Sequence, residues 1–229
     1  MSAPDFATHQ LFQNALLVTG PRPFRILSSS LHGGGWQTKR HLLNLQVPHG
    51  YICDDPLQDV AARIDELGLP RADTAAMMTA ADVEDFVEGY ASGDQFALKS
   101  YITAGISNAA RAGQCGPTYP GYRAGTINAI LVLDARLTPA AMVNAIITIT
   151  EAKAAALQEL AIRDAQGRLA TGTTTDSILL ACTQSERYRG VHHYAGVATE
   201  IGCAIGQTVY ETLLAGLRGQ RGKGAIYGG

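Results

Sequence analysis

Residues 14–28 read Asn14-Ala15-Leu16-Leu17-Val18-Thr19-Gly20-Pro21-Arg22-Pro23-Phe24-Arg25-Ile26-Leu27-Ser28. Two apolar runs, 14–19 and 24–28, flank Gly20-Pro21-Arg22-Pro23, and that punctuation predicts a β-hairpin. An antiparallel start is the first sign that strands and helices do not alternate regularly along this chain.

The pattern continues outward. Residues 40–47 read as a third strand ended by Pro48, and Asp54-Asp55-Pro56 opens a helix reaching Leu67. Asp55 suits the N-cap, Pro56 the first turn, and Gly68 the stop. Residues 75–79 form a short buried strand, and 84–90 with 96–106 make a hairpin around Ser92-Gly93-Asp94. The almost wholly apolar 127–133 is expected as a central strand. Thr138 then caps a helix with Pro139 in its first turn, and Val143, Ile146, Ile147, Thr150, Ala154, Leu157 and Ala161 mark its apolar stripe. A strand at 177–181 and a helix at 199–217, with Ile201, Ile205, Val209 and Leu213 on one face, complete the elements. The Gly- and Arg-rich tail 218–229 is expected to be loose. Hairpins early and helices late predict an α+β fold. The reading is a single layered domain over 1–229, with a mixed, partly antiparallel sheet packed by two long helices. The α/β alternative in its dinucleotide-binding form needs a glycine fingerprint between strand and helix, which is absent.

Composition narrows the function. The 229 residues carry 18 Lys+Arg against 20 Asp+Glu, a net charge of −2, with 46% hydrophobic and 17% charged residues. Such a chain is neither disordered nor basic enough for a nucleic-acid binder. The start, Met1-Ser2-Ala3-Pro4-Asp5-Phe6, lacks the pattern of a secretory signal. The apolar run 140–157 holds Glu151 and Lys153, so membrane insertion is not expected. Cys53, Cys115, Cys182 and Cys203 form no CxxC pair, which fits free thiols in a reducing cytoplasm.

Five clusters could carry chemistry. The first runs from Ser28-Ser29-Ser30 to Gly33-Gly34-Gly35, where bare backbone can approach a ligand; the alternative is a flexible connection. Asn108 and Arg111 offer donors to amide, carboxylate or phosphate groups, although a surface turn accounts for Arg111 alone. Thr126 and Asn128 lead the central strand, where Asn128 must bond in the core or face a site. Glu151 and Lys153 are two residues apart on the helix, too far round to pair, so each needs a partner elsewhere; the alternative is that both snorkel to water. Thr171, Thr173 and Thr175 offer hydroxyls before Asp176, which could orient a base or bind a cation. His192-His193 is weak metal evidence, because neighbours on a strand face opposite ways.

In this order the clusters resemble the adenosylcobinamide amidohydrolase family of corrinoid salvage. The matching pieces are the Ser-Ser and triple-glycine loop, MMTAADV at 77–83, TAGISNAARAG at 103–113 and GTIN at 125–128. LTPAAMVNAIITITEAKAAALQEL at 137–160 and ATGTTTD at 170–176 complete a likeness spanning about 14–215. Two positions depart from the family pattern: Thr174 stands where a glycine is usual, and Tyr194-Ala195-Gly196 continues as Val197-Ala198-Thr199.

The resemblance implies hydrolysis of the amide joining aminopropanol to a propionate of the corrin ring, yielding adenosylcobyric acid. Complete cobamides such as pseudocobalamin are a further substrate class. The partner is then a small-molecule corrinoid, and its cobalt belongs to the substrate. No cofactor and no metal site are expected, with an assisting divalent ion left open. The apolar last helix is open to pairing in a homo-oligomer. Amide hydrolysis needs an activated oxygen, oxyanion stabilisation and a proton for the amine. In this reading Glu151 or Asp176 activates water or steers a Thr hydroxyl, Lys153 and Asn108 polarise the carbonyl, and the 171–175 loop supplies oxyanion donors. A nucleophilic Thr173 is the rival mechanism. Ser29, Gly33, Gly34, Gly35, Arg111, Thr126, Asn128, Thr171 and Thr175 are the expected substrate contacts. The competing function is a non-catalytic corrinoid-binding or carrier protein.

Overall fold

The structure, a computed structural model, describes residues 6–12, 14–114 and 126–224, with no side chains described beyond residue 219. Cys115 and Gly125 of the motifs above lie outside the described residues. In chain order the elements are β1 (Thr8–Phe12), β2 (Ala15–Ser28), β3 (Gly35–Gln46), α1 (Pro56–Glu66), β4 (Thr74–Thr79), β5 (Val87–Gly93), β6 (Phe96–Ala104), β7 (Ala109–Ala110), β8 (Ile127–Asp134), α2 (Pro139–Glu159), β9 (Gly172–Thr173), β10 (Ser177–Cys182) and α3 (Glu200–Gly224). Helix α3 continues past Leu217 to Gly224, so the expected loose tail is in part helical.

One mixed sheet of eight strands runs in the order β4-β3-β2-β10-β8-β6-β5, with β1 added to β2; β7 and β9 form a separate pair. The β3–β4 and β8–β10 pairings are parallel and the others antiparallel. The fold is α+β, as the sequence predicts.

The predicted hairpin at 14–28 is instead the single strand β2. Its register against β3 slips between Thr19 and Phe24, so the turn residues form an irregularity in a continuous strand. Two prolines cannot donate to a ladder, and a bulge is where a strand tolerates them. Gly20 is required there, because a Cβ would come within 2.3 Å of the Phe24 ring. The irregularity also divides the strand's second edge, where β1 pairs with residues 15–19 and β10 with 25–28. The true hairpin partner of β2 is β3, reached through the glycine loop.

The sheet curls until β3 and β4 face β6 and β8. Asn128 of β8 donates through Nδ2 to Asn44 Oδ1 and to the Met78 carbonyl, both at 2.8 Å, and Asn44 Nδ2 donates to Thr103 Oγ1 at 3.0 Å. Leu16, Phe24, Ile26, Leu42, Met77, Tyr101 and Ile130 fill the space enclosed by the curl. Helices α2 and α3 cover the outside of β6, β8 and β10, and Val60 and Ile64 of α1 cover Leu17, Leu43 and Leu45 on the other outside.

Both helix caps agree with the sequence. Asp55 accepts from Gln58 N–H, and Thr138 accepts from Ala141 N–H. The stripe on α2 is different. Val143 and Ile147 are exposed at 52% and 49%, while Ala141, Met142, Ala145, Thr148, Ile149, Ala156 and Leu157 are buried. This helix is apolar nearly all round, so several stripes satisfy a 3.6-residue period. The one that wins presents small side chains to α3, where Thr148 Cγ2 lies 3.5 Å from the Cβ position of Gly206. On α3 the predicted face of Ile201, Ile205, Val209 and Leu213 is buried.

Candidate functional site

Asp176 follows a turn before β10 and collects donors from three parts of the chain. Lys153 Nζ, on the last third of α2, is ion-paired with Asp176 Oδ2. Thr173 donates to the same carboxylate twice, from its backbone N–H to Oδ2 at 3.0 Å and from Oγ1 to Oδ1 at 2.5 Å. Ile127 N–H, at the start of β8, donates to Oδ1 at 3.1 Å. A carboxylate with this many donors is fixed in orientation. The close approach depends on Gly172, whose added Cβ would lie 2.4 Å from Asp176 Oδ2 and 2.9 Å from Lys153 Nζ.

The β7–β9 pair brings the second cluster to the same place. Ala109 pairs with Thr173 and Ala110 with Gly172, so Asn108 lies beside the threonine loop. Asn108 Nδ2 donates to Thr174 Oγ1 at 2.8 Å and to Thr175 Oγ1 at 3.2 Å. Thr175 Oγ1 donates to Thr126 Oγ1 at 2.9 Å, and Thr126 Oγ1 donates to the Thr175 carbonyl at 2.7 Å. Thr174 therefore supplies a hydroxyl contact that a glycine at this position lacks.

A cavity of about 380 Å³ opens against this cluster, with Asp176, Thr175, Thr126, Ser177 and Ser29 on one side. That is the lower end of the range for small-molecule pockets. Tyr51, Cys53, Met77, Met78 and Thr79 form much of the remaining wall. The sequence reading missed these; the only hint was MMTAADV, read as a motif without a chemical role. Tyr51 donates its hydroxyl to Asp59 Oδ2 at 2.5 Å, and burial, then this hydrogen bond, push its pKa upward. Ser29 Oγ lies 3.0 Å from Ser177 Oγ and accepts from Ile178 N–H at 3.0 Å, which ties the cavity edge of β2 to β10.

The predicted residues thus divide. Lys153, Asp176, Thr173, Asn108, Thr126 and Thr175 come together, and Ser29 lies on the same cavity. Glu151 does not join them: it is exposed on the other side of α2 and makes no ion pair among the described residues. In the 171–175 loop, expected to supply oxyanion donors, three backbone N–H groups are committed within the site, Thr173 to Asp176, Thr174 to the Asn108 carbonyl and Thr175 to Thr173 Oγ1. Thr171 Oγ1 accepts from Ala112 N–H, and Arg111 donates to the Leu169 carbonyl, so both brace the loops. Asn128 is fully buried in the curl of the sheet and holds Asn44 and Met78.

The triple glycine shapes a turn, and none of the three lines the cavity. Gly33, at φ +65°, packs on the Thr74 carbonyl and Gly34 on the Ser30 carbonyl, where added Cβ atoms would sit at 2.6 Å and 2.3 Å. Gly35 is at φ +80°. Close approach here is to the chain's own backbone. Among the described residues no three His, Cys, Asp or Glu side chains converge as a metal site.

Comparison with known proteins agrees with the motifs. The family model CbiZ, adenosylcobinamide amidohydrolase, matches residues 3–225. The chain is 31% identical to the adenosylcobinamide amidohydrolase of Methanosarcina mazei over 217 residues, covering 91% of this chain and 96% of that one. It is 30% identical to the adenosylcobinamide amidohydrolase of Halobacterium salinarum over 202 residues, covering 84% and 80% respectively. With the family model matching nearly end to end, the chain belongs to the adenosylcobinamide amidohydrolase family and is a hydrolase of an amide bond.

Proposed function

We propose that this enzyme hydrolyses the amide between aminopropanol and the corrin propionate of adenosylcobinamide, releasing adenosylcobyric acid for corrinoid salvage. The observation that carries the chemistry is the Thr173 hydroxyl held 2.5 Å from Asp176 Oδ1, with Lys153 on the other carboxylate oxygen. A cavity of about 380 Å³ admits a side arm, leaving the macrocycle at its mouth.

Asp176 orients the Thr173 hydroxyl and accepts its proton as Thr173 Oγ attacks the amide carbonyl. The Lys153 ammonium offsets the negative charge that develops on the carbonyl oxygen. The C–N bond breaks, the proton passes to the departing amine, and water then cleaves the acyl-threonine to the carboxylic acid. No resident cofactor enters this sequence, and the cobalt stays with the substrate. Complete cobamides such as pseudocobalamin, which carry the same amide, are a second substrate class in this reading, and the enzyme acts in the cytoplasm.

The test is incubation with adenosylcobinamide, followed by chromatography and mass spectrometry. New adenosylcobyric acid with free aminopropanol is expected, along with an acyl adduct on Thr173 after acid quench. Hydrolysis without any adduct, with Thr173→Ala still active, overturns the nucleophile and leaves activated water. Unchanged, tightly bound corrinoid overturns the hydrolysis itself and favours a carrier.

A further inference from the structure

The cavity beside Asp176 is lined in two unlike parts. Ser29, Thr126, Thr175, Asp176 and Ser177 make it polar, and Leu31, Val47, Tyr51, Cys53 and Met78 make the rest apolar. Val47, Tyr51 and Cys53 lie on the segment 47–55 that joins β3 to α1. Its donors are spent on the chain itself. Val47 N–H donates to the Thr79 carbonyl at 2.8 Å, Tyr51 N–H to the Pro48 carbonyl at 3.0 Å, and the Tyr51 hydroxyl to Asp59 Oδ2 at 2.5 Å. What these side chains offer a ligand is hydrocarbon, aromatic and sulfur surface, held in place before anything binds. The apolar surface also reaches solvent. Leu31 lines the cavity and is 41% exposed, and Ile52, between Tyr51 and Cys53 in the chain, is 81% exposed. Exposed apolar side chains beside a pocket mark a binding surface. A cavity of about 380 Å³ takes a side arm, so the ring that carries the arm rests on what adjoins the cavity.

Resting on the hydrolytic reading above, we infer that Leu31, Tyr51, Cys53 and Met78, extended outward by Ile52, receive the acyl side of the substrate, with the hydrocarbon edge of the corrin ring against them. The polar side of the cavity is left for the amide and the departing amine. These apolar residues determine specificity: they select amides of a bulky apolar acid over small amides that lack the ring.

The experiment follows iodoacetamide labelling of Cys53 in the wild-type protein, with exposed Cys203 as the internal reference. Three conditions are compared: no addition, adenosylcobyric acid, which keeps the ring and lacks the amine, and free aminopropanol. At about ten times its dissociation constant from equilibrium dialysis, adenosylcobyric acid is expected to slow Cys53 alkylation about tenfold. Cys203 keeps its rate, and aminopropanol slows neither. Protection by aminopropanol alone, no protection by the bound acid, or no binding of the acid overturns the inference. A second readout needs no labelling. The double variant Leu31→Asn/Ile52→Asn, at two exposed positions, is expected to bind adenosylcobyric acid about tenfold more weakly. Wild-type affinity in this variant overturns the inference, and it decides alone if Cys53 resists alkylation in the free protein. Neither readout requires turnover. A protein that binds the ring but releases no aminopropanol from adenosylcobinamide keeps this wall and loses the hydrolytic reading, and hydrolysis without protection does the reverse.

Discussion

Lys153 and Asp176, 23 positions apart, form an ion pair whose side chains are only 12% and 13% exposed. It ties α2 to the turn before β10 and fixes the carboxylate that holds Thr173. An ion pair this sheltered stabilises little relative to an apolar pair, yet breaking it leaves a stranded charge. Asp176→Ala and Lys153→Ala are each expected to cost about 3 kcal/mol of unfolding free energy. Lys153→Met/Asp176→Leu is expected to cost less than the sum of the singles. Urea denaturation of the four proteins checks this, and additive losses contradict the coupling. Activity is lost in all three variants.

Gly172→Ala tests the site without removing any functional group. The new Cβ would fall 2.4 Å from Asp176 Oδ2, and the carboxylate can retreat only by giving up bonds to Thr173, Ile127 or Lys153. A fall in kcat/KM of about 100-fold, from about 2.7 kcal/mol of lost organisation, is expected while the protein stays folded. Wild-type turnover in a folded Gly172→Ala protein refutes the assigned role of the pair.

Glu151→Gln gives the opposite expectation. The side chain is exposed and outside the cluster, so kcat/KM should stay within about twofold of wild type, as at a neutral surface site. A drop beyond tenfold returns Glu151 to the catalytic machinery.

Cys182 gives a pH signature. Burial pushes its thiol up to about 11 from an ordinary value of 9.0. Its folded pKa is raised, so the native state keeps the proton while the unfolded chain loses it above pH 9. Stability therefore falls as pH rises from about 9 to 11, by about 2–3 kcal/mol for this group. Urea midpoints at pH 8 and pH 11 measure the slope, and Cys182→Ala should show a smaller decline than wild type. An identical decline removes Cys182 as its source. By iodoacetamide labelling of the native protein at pH 8, exposed Cys203 is alkylated and Cys182 is not.

Much of the fold is local and so legible along the chain. Asp55 and Thr138 cap helices because the bonds they make reach only three residues ahead. Residues 127–134 form a strand buried on both faces, as an almost wholly apolar run requires. The α+β class, the cap positions, the buried face of α3 and the family likeness follow from residue order alone. What misled was also local. The Gly-Pro signal at 20–23 marks a break in a strand as well as a turn, and only the neighbours of β2 decide which. The phase of α2 was ambiguous because apolar side chains surround it.

The candidate site belongs to the tertiary structure. Asn108 is separated from Thr174 by 66 positions, and Ser29 from Ser177 by 148. Such distances along the chain are closed only when β2 pairs with β10 and β7 with β9. The residue types Lys153, Asp176, Thr173 and Asn108 could be singled out from sequence, because isolated charges and hydroxyls in apolar surroundings need partners. Which partners they take, that Glu151 takes none among the described residues, and which way the Asn108 amide faces depend on side chains meeting across the folded sheet, where geometry rather than residue order assigns each donor to its acceptor.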